Sequence, residues 1–223
     1  MYKGKIIACI TNRHLVRGDF LAQIECVAAM EMLDWIIVRE KDLTSEAYRT
    51  LLAEVVRIAH KGGKKCLAHG EDAPGAVQAC GADGIHLPLA VLRAWRAASD
   101  RGSERQTAME ERVVEIVGAS AHSVAELAEA AALGASYATL SPIFATTCKP
   151  SAAPLGTAAL AAACREAPLP IFALGGVGRK RLDACIEAGA AGCCMMSELM
   201  RCIYSTRSVP LGLEFLKVHG TIK

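Results

Sequence analysis

Short apolar runs alternate with amphipathic helical patterns from one end of the chain to the other. That strict alternation is the strongest constraint on how it folds. The runs fall near Lys5–Thr11, Asp34–Arg39, Lys64–His69, Gly84–Leu87, Val113–Gly118, Ser136–Ser141, Pro170–Leu174 and Ala191–Met196. Helical patterns fall near Asp19–Met32, Ser45–Lys61, Ala73–Ala79, Leu89–Ala98, Ser123–Leu133, Thr157–Arg165, Arg179–Ala188 and Glu198–Lys217. A strand–helix–strand series implies parallel pairing, and eight units close the sheet into a single-domain α/β structure, a (β/α)8 TIM barrel over 1–223. A doubly wound open sheet is the rival, but its six-strand form leaves two units unplaced. Gly81-Ala82-Asp83, Gly134-Ala135-Ser136 and Gly189-Ala190-Ala191 each stand between a helix and the next strand, two units apart. Glycine suits the position after a helix C-terminus, and alanine lets helix and sheet pack closely.

Composition narrows the function classes. A chain of 223 residues that is 52% hydrophobic can bury one sizeable core. With 25 basic and 23 acidic residues the charge is only +2, and 4% aromatic content offers few stacking platforms, so nucleic acid is not an expected partner. Most of the ten cysteines lie inside apolar segments, where a thiol behaves as a small hydrophobe, and no CxxC occurs. The apolar run Ile6 to Ile10 is too short for a signal peptide, and no stretch approaches a membrane span. The expectation is a reduced, soluble, cytoplasmic protein without a membrane partner. The polar stretch Asp100 to Thr107, within the segment 100–111, reads as a loop before strand 5.

Barrel chemistry collects where strands end, at the C-terminal rim. Gly175-Gly176 and Met196-Ser197 each stand where a strand hands over to a helix, with main-chain N–H groups and the helix dipole favouring an anion. Strand 2 ends in Arg39-Glu40-Lys41, with its two cations on the same side. Strand 5 leads into Ser120-Ala121-His122-Ser123. There Ser123 and Glu126 form a capping box, and His122 is the candidate acid–base. The strand 6 loop brings Thr146 and Lys149, a hydroxyl and a cation suited to phosphate or carboxylate.

These residues stand together with Ala82-Asp83-Gly84-Ile85-His86-Leu87, Ser141-Pro142-Ile143-Phe144 and Gly175-Gly176-Val177 in one order. In that order and spacing the chain resembles the thiamine phosphate synthase and TenI superfamily over nearly its whole length. The resemblance implies a thiazole phosphate ligand. Gly175, Gly176, Met196 and Ser197 would hold its phosphate, Thr146 and Lys149 would close over it, and Ser120 would line the substrate site. It also implies self-association, since members often form oligomers.

The superfamily holds two activities. The synthases couple a pyrimidine diphosphate to the thiazole phosphate with Mg²⁺. They carry Asn-Asp after strand 3, a Gly-Gln-Glu-Asp-like stretch after strand 4 and a glutamine two residues before the arginine. Here those places hold His69-Gly70, Pro88-Leu89-Ala90 and Ile37. Glu71 and Asp72 could restore one ligand only if the turn shifted. The resemblance is therefore nearer the TenI branch, whose thiazole tautomerases move a proton without metal or other cofactor. His122 matches their catalytic histidine, and Arg39 or Lys41 would pair with the substrate carboxylate. The synthase, requiring Mg²⁺, is the alternative, and a non-catalytic thiazole phosphate-binding or regulatory protein is a third reading. A metal-dependent hydrolase built on His69, His86 and His122 is disfavoured, because His86 lies between Ile85 and Leu87 within a strand.

Overall fold

The computed structural model describes residues 1–99, 114–148 and 150–202. Eight parallel strands follow one another in chain order and close, β1 pairing with both β2 and β8. The strands are β1 Ile6–Ile10, β2 Trp35–Val38, β3 Lys65–His69, β4 Gly84–Pro88, β5 Ile116–Ala121, β6 Tyr137–Leu140, β7 Ile171–Ala173 and β8 Gly192–Met195. Among the described residues the α-helices are α1 Phe20–Ala28, α2 Ser45–Lys61, α3 Ala73–Cys80, α4 Leu89–Ser99, α5 Val124–Ala132, α6 Gly156–Glu166, α7 Leu182–Glu187 and α8 Ser197–Arg201. The expected (β/α)8 barrel is thus the observed one. None of these helices is long and apolar enough to cross a membrane.

Both faces of each strand are covered, which explains the nearly continuous apolar runs. Ile7, Cys9, Ile36, Val38, Cys66, Ile85 and Leu87 face the helices. Ala8, Ile10, Ile37, Leu67, Tyr137, Phe172 and Cys194 fill the interior. Trp35, Tyr137 and Phe172 plug the lower barrel, their ring centroids 4.5 to 5.4 Å apart. A side chain at Gly192 would put its Cβ 2.9 Å from the Phe172 ring, so this strand must be bare where the plug sits. All ten cysteines are unbridged.

Local signals account for most boundaries. Asp19, Thr44 and Ser123 cap α1, α2 and α5 with their side-chain oxygens. Gly81, Gly134 and Gly189 all take positive φ where a helix ends, as the repeated Gly-Ala pairs imply. Some boundaries differ. Helix α1 stops at Ala28, short of the expected Met32. Strand β5 runs to Ala121 rather than ending at Gly118, because that glycine is a gap inside the strand and not a turn. The expected segment Arg179–Ala188 starts as a 3₁₀ turn, Arg179–Arg181, before α7. Segment 100–111, Lys149 and most of the expected Glu198–Lys217 helix lie outside the described residues.

Candidate functional site

The strand ends surround a cavity of about 700 Å³. Arg39, Lys41, Ser120, His122, Thr146, Gly175, Gly176, Met196 and Ser197 all line it. The structure therefore gathers at one place the expected site residues it describes. Lys149 lies outside the described residues.

His122 is held by main-chain geometry. Ser123 Oγ accepts the Glu126 N–H at 3.2 Å, and Glu126 Oε2 accepts the His122 N–H at 2.6 Å. The carboxylate thus reaches one residue beyond the cap and fixes the backbone of His122 as well as the helix start. The His122 ring sets Nδ1 2.7 Å from the Ser141 carbonyl oxygen. A carbonyl can only accept, so Nδ1 carries the proton and Nε2 is the basic nitrogen.

The strand 2 cations owe their placement to the residue between them. Glu40 is buried, accepts the Thr11 hydroxyl at 2.7 Å and the Arg13 N–H at 3.0 Å, and pairs with the Arg13 guanidinium. Thr11 Oγ1 also accepts the Arg39 N–H at 2.9 Å. With Glu40 directed away from the cavity, its neighbours Arg39 and Lys41 are directed into it. From α2, Tyr48 donates to the Val38 carbonyl at 2.9 Å and accepts the His69 N–H at 2.8 Å, tying the ends of β2 and β3 together.

Across the cavity, where β7 and β8 end, the wall is largely main chain. Gly175 and Gly176 have φ of 91° and 64°, the left-handed region that favours glycine. A Cβ at Gly176 would lie 2.5 Å from the Ala145 carbonyl oxygen and 2.8 Å from Phe144 Cβ. Among the described residues, the N–H groups of Gly176, Val177 and Ser197 donate to no protein acceptor. The adjoining helices are short: α8 has five residues and α7 six. An anion at this wall would therefore meet bare N–H groups rather than a long helix dipole. The Thr146 hydroxyl accepts the Cys148 N–H at 3.3 Å and shapes the strand 6 loop beside it.

Sequence reasoning missed Arg181. This residue lines the cavity, donates to the Gly176 carbonyl at 2.7 Å and packs its guanidinium 4.6 Å over the Phe144 ring. Its signal was the run Arg179-Lys180-Arg181 directly after the glycines. His69 and His86 were given no site role, yet both line the cavity floor and stack with centroids 5.7 Å apart. Burial pushes His86 down to about 3. Burial first, then His86, Arg39 and Lys41, hold His69 well below the ordinary histidine range. Both rings are neutral at pH 7.

The carboxylate supply does not fit Mg²⁺, a hard cation that wants oxygen ligands. Where β3 and β4 end, the cavity presents His69 and Pro88. Asp72 is turned to the Ser45 hydroxyl at 2.8 Å. Glu198 is the one carboxylate lining the cavity among the described residues, and it accepts the Arg179 N–H and pairs with the Arg179 guanidinium.

Known proteins agree with this architecture. A Geobacter sulfurreducens protein named "Putative thiamine-phosphate synthase" is 32% identical over 193 residues, covering 86% of this chain and 84% of its own. A Methanoculleus marisnigri protein named "Thiamine-phosphate synthase" is 31% identical over 201 residues, covering 88% of each chain. Among solved structures, a thiamine phosphate pyrophosphorylase from Pyrococcus furiosus superposes with a TM-score of 0.70 over 89% of each chain. At 19% identity, that likeness speaks for the fold alone. Residues 7–199 match the family described as Thiamine monophosphate synthase (TMP-TENI), and the chain belongs to that family.

Proposed function

We propose that this family member is a thiazole tautomerase. It would aromatise a dihydrothiazole carboxylate phosphate by moving a proton from ring C2 to the exocyclic carbon. The observation that carries this reading is the fixed tautomer of His122, which sets a basic Nε2 at the cavity rim opposite the bare N–H groups of Gly176, Val177 and Ser197. The phosphate would rest on those N–H groups beside Thr146 and Lys149. The substrate carboxylate would pair with Arg39 or Lys41. His122 Nε2 takes the C2 proton and the C2–H electron pair enters the ring. The exocyclic double bond then collects the proton from the imidazolium, so the substrate is isomerised and nothing is released. The Ser141 carbonyl supports the transient imidazolium through Nδ1–H.

The names of the relatives favour a second reading, a transferase that forms thiamine phosphate. One pair of assays separates the two. Purified protein should convert the dihydrothiazole carboxylate phosphate to its aromatic isomer without added metal, with deuterium appearing at the exocyclic carbon when the reaction is run in D₂O. It should form no thiamine phosphate from the pyrimidine diphosphate and thiazole phosphate with Mg²⁺. Mg²⁺-dependent synthesis without isomerisation would establish the transferase instead.

A further inference from the structure

A line of buried polar groups descends from the cavity into the barrel. Ser120, on the cavity wall, places Oγ 3.0 Å from His86 Nε2. His86 Nδ1 lies 2.8 Å from the Tyr137 hydroxyl oxygen. Thr139 Oγ1 approaches His86 Nε2 more distantly, at 3.5 Å. His86 is 1% exposed and Tyr137 2%. The two rings meet only because β5 is bare between them. A Cβ at Gly118 would stand 2.5 Å from His86 Nδ1 and against the Tyr137 ring. The fold thus keeps a gap that serves this contact.

A neutral imidazole carries one ring proton, so the line can run in two directions. In the inward direction the Ser120 hydroxyl donates to Nε2 and Nδ1–H donates to Tyr137. The tyrosine proton then needs another acceptor, and its ring is packed against Trp35 and Phe172. Among the described residues the Tyr137 hydroxyl has no other hydrogen-bond partner. A buried donor left unmet is costly, so this direction is disfavoured. In the outward direction Tyr137 donates to Nδ1 and Nε2–H donates to Ser120, so both ring nitrogens and the Tyr137 hydroxyl are satisfied. Thr139, at 3.5 Å, lacks an acceptor in either direction, because Nε2 has only one lone pair to share. The Ser120 proton then turns toward the cavity. Burial keeps His86 neutral, so the ring does not gain a second proton that would blur the choice.

We infer that Tyr137 and His86 are positioning residues that hold the Ser120 hydroxyl as a hydrogen-bond donor into the cavity. Ser120 then selects a ligand presenting an acceptor at that point, a ring nitrogen or a carboxylate oxygen, over one presenting an N–H. Only the ligand part of this rests on the proposed function. The direction of the line is a property of the protein alone.

The test has two arms. Nitrogen NMR of the ¹⁵N-histidine-labelled, ligand-free full chain at pH 7 should show His86 with a proton on Nε2 and a bare Nδ1. A proton on Nδ1 overturns the proposal, whatever the cavity binds. Tyr137→Phe removes the directing donor, so the Nδ1–H tautomer should appear in that variant. The second arm measures affinity for 4-methyl-5-(2-hydroxyethyl)thiazole phosphate. Ser120→Ala and Tyr137→Phe should each weaken it about 2- to 10-fold. The double variant should be no weaker than Ser120→Ala alone, and additive losses would overturn the coupling. If the wild type fails to bind this probe, the functional reading has failed and the ring tautomer still decides the proposal. If Tyr137→Phe does not fold, the wild-type tautomer decides it.

Discussion

The two walls of the cavity are made in different ways. Where β3, β4 and β5 end, the surface consists of side chains: His69, His86, Ser120 and His122. Where β7 and β8 end, it is largely main chain, with Gly175 and Gly176 in conformations that glycine favours. The first wall can direct a proton at one atom, but a single substitution changes its chemistry. The second offers mainly N–H groups. It tolerates change in most neighbouring side chains, provided the backbone keeps its path. On the proposed function, reaction and anchoring would be separated within one pocket.

The sharpest way to break this division is at His122. His122→Ala should lower turnover about 10²- to 10⁴-fold, the usual loss for one acid–base group, with little change in affinity for the thiazole phosphate. Steady-state kinetics alongside calorimetric titration would read both quantities. Equal losses in both would place His122 in binding and merge the two walls. The opposite wall is probed by Gly176→Ala. Its Cβ would crowd Ala145 and Phe144 at a φ of 64°. Strain of about 1–3 kcal/mol should appear as weaker phosphate binding or a lower unfolding midpoint. An alanine variant that binds normally would remove the main-chain cradle from the argument.

The neutral histidines offer a further test through pH. His69 and His86 titrate below the ordinary range when folded, so the unfolded chain binds more protons between about pH 6.5 and their folded values. Their contribution to stability is complete above that window and is lost as pH falls through it. Each histidine adds a slope of roughly 1.4 kcal/mol per pH unit within the window. Denaturant unfolding between pH 7 and pH 5 should show a shallower slope for His69→Asn than for the wild type. Equal slopes would show that His69 is protonated in the folded chain. The smallest effect is expected at Glu126. Glu126→Ala removes the carboxylate that holds the His122 N–H and should cost about 1 kcal/mol of stability. A modest rate loss should accompany it if the backbone of His122 must be fixed.

Much of the scaffold was legible because its signals are local. The alternation of strand and helix, the caps at Asp19, Thr44 and Ser123, and the glycines at 81, 134 and 189 each act within a few residues. The rim residues were legible for a related reason, since a strand end fixes where its side chains point. What escaped depended on contacts across the barrel. Gly118 looked like a strand terminator because its purpose is set by Tyr137 and His86 on neighbouring strands. His86 was given no role because its partners, Ser120 and Tyr137, are 34 and 51 positions away. Arg181 was passed over because its place depends on the 3₁₀ turn that precedes α7 and brings it back to Gly176.

The pairing of β1 with β8 has a consequence for how the chain is made. On its β8 edge, Ile6 to Cys9 pair with Gly192 to Met195, almost the full described length away. During synthesis β1 emerges first and has one permanent partner, β2, while its other edge waits for the last strand. Contacts of such sequence separation form late, because the chain entropy of closing so long a loop must be overcome first. Until then Ile6 to Ile10 present an apolar edge able to pair with a neighbouring chain. A nascent or thermally opened molecule is therefore most prone to self-association at this seam. Truncations that remove β8 should yield aggregates, not a seven-stranded remnant.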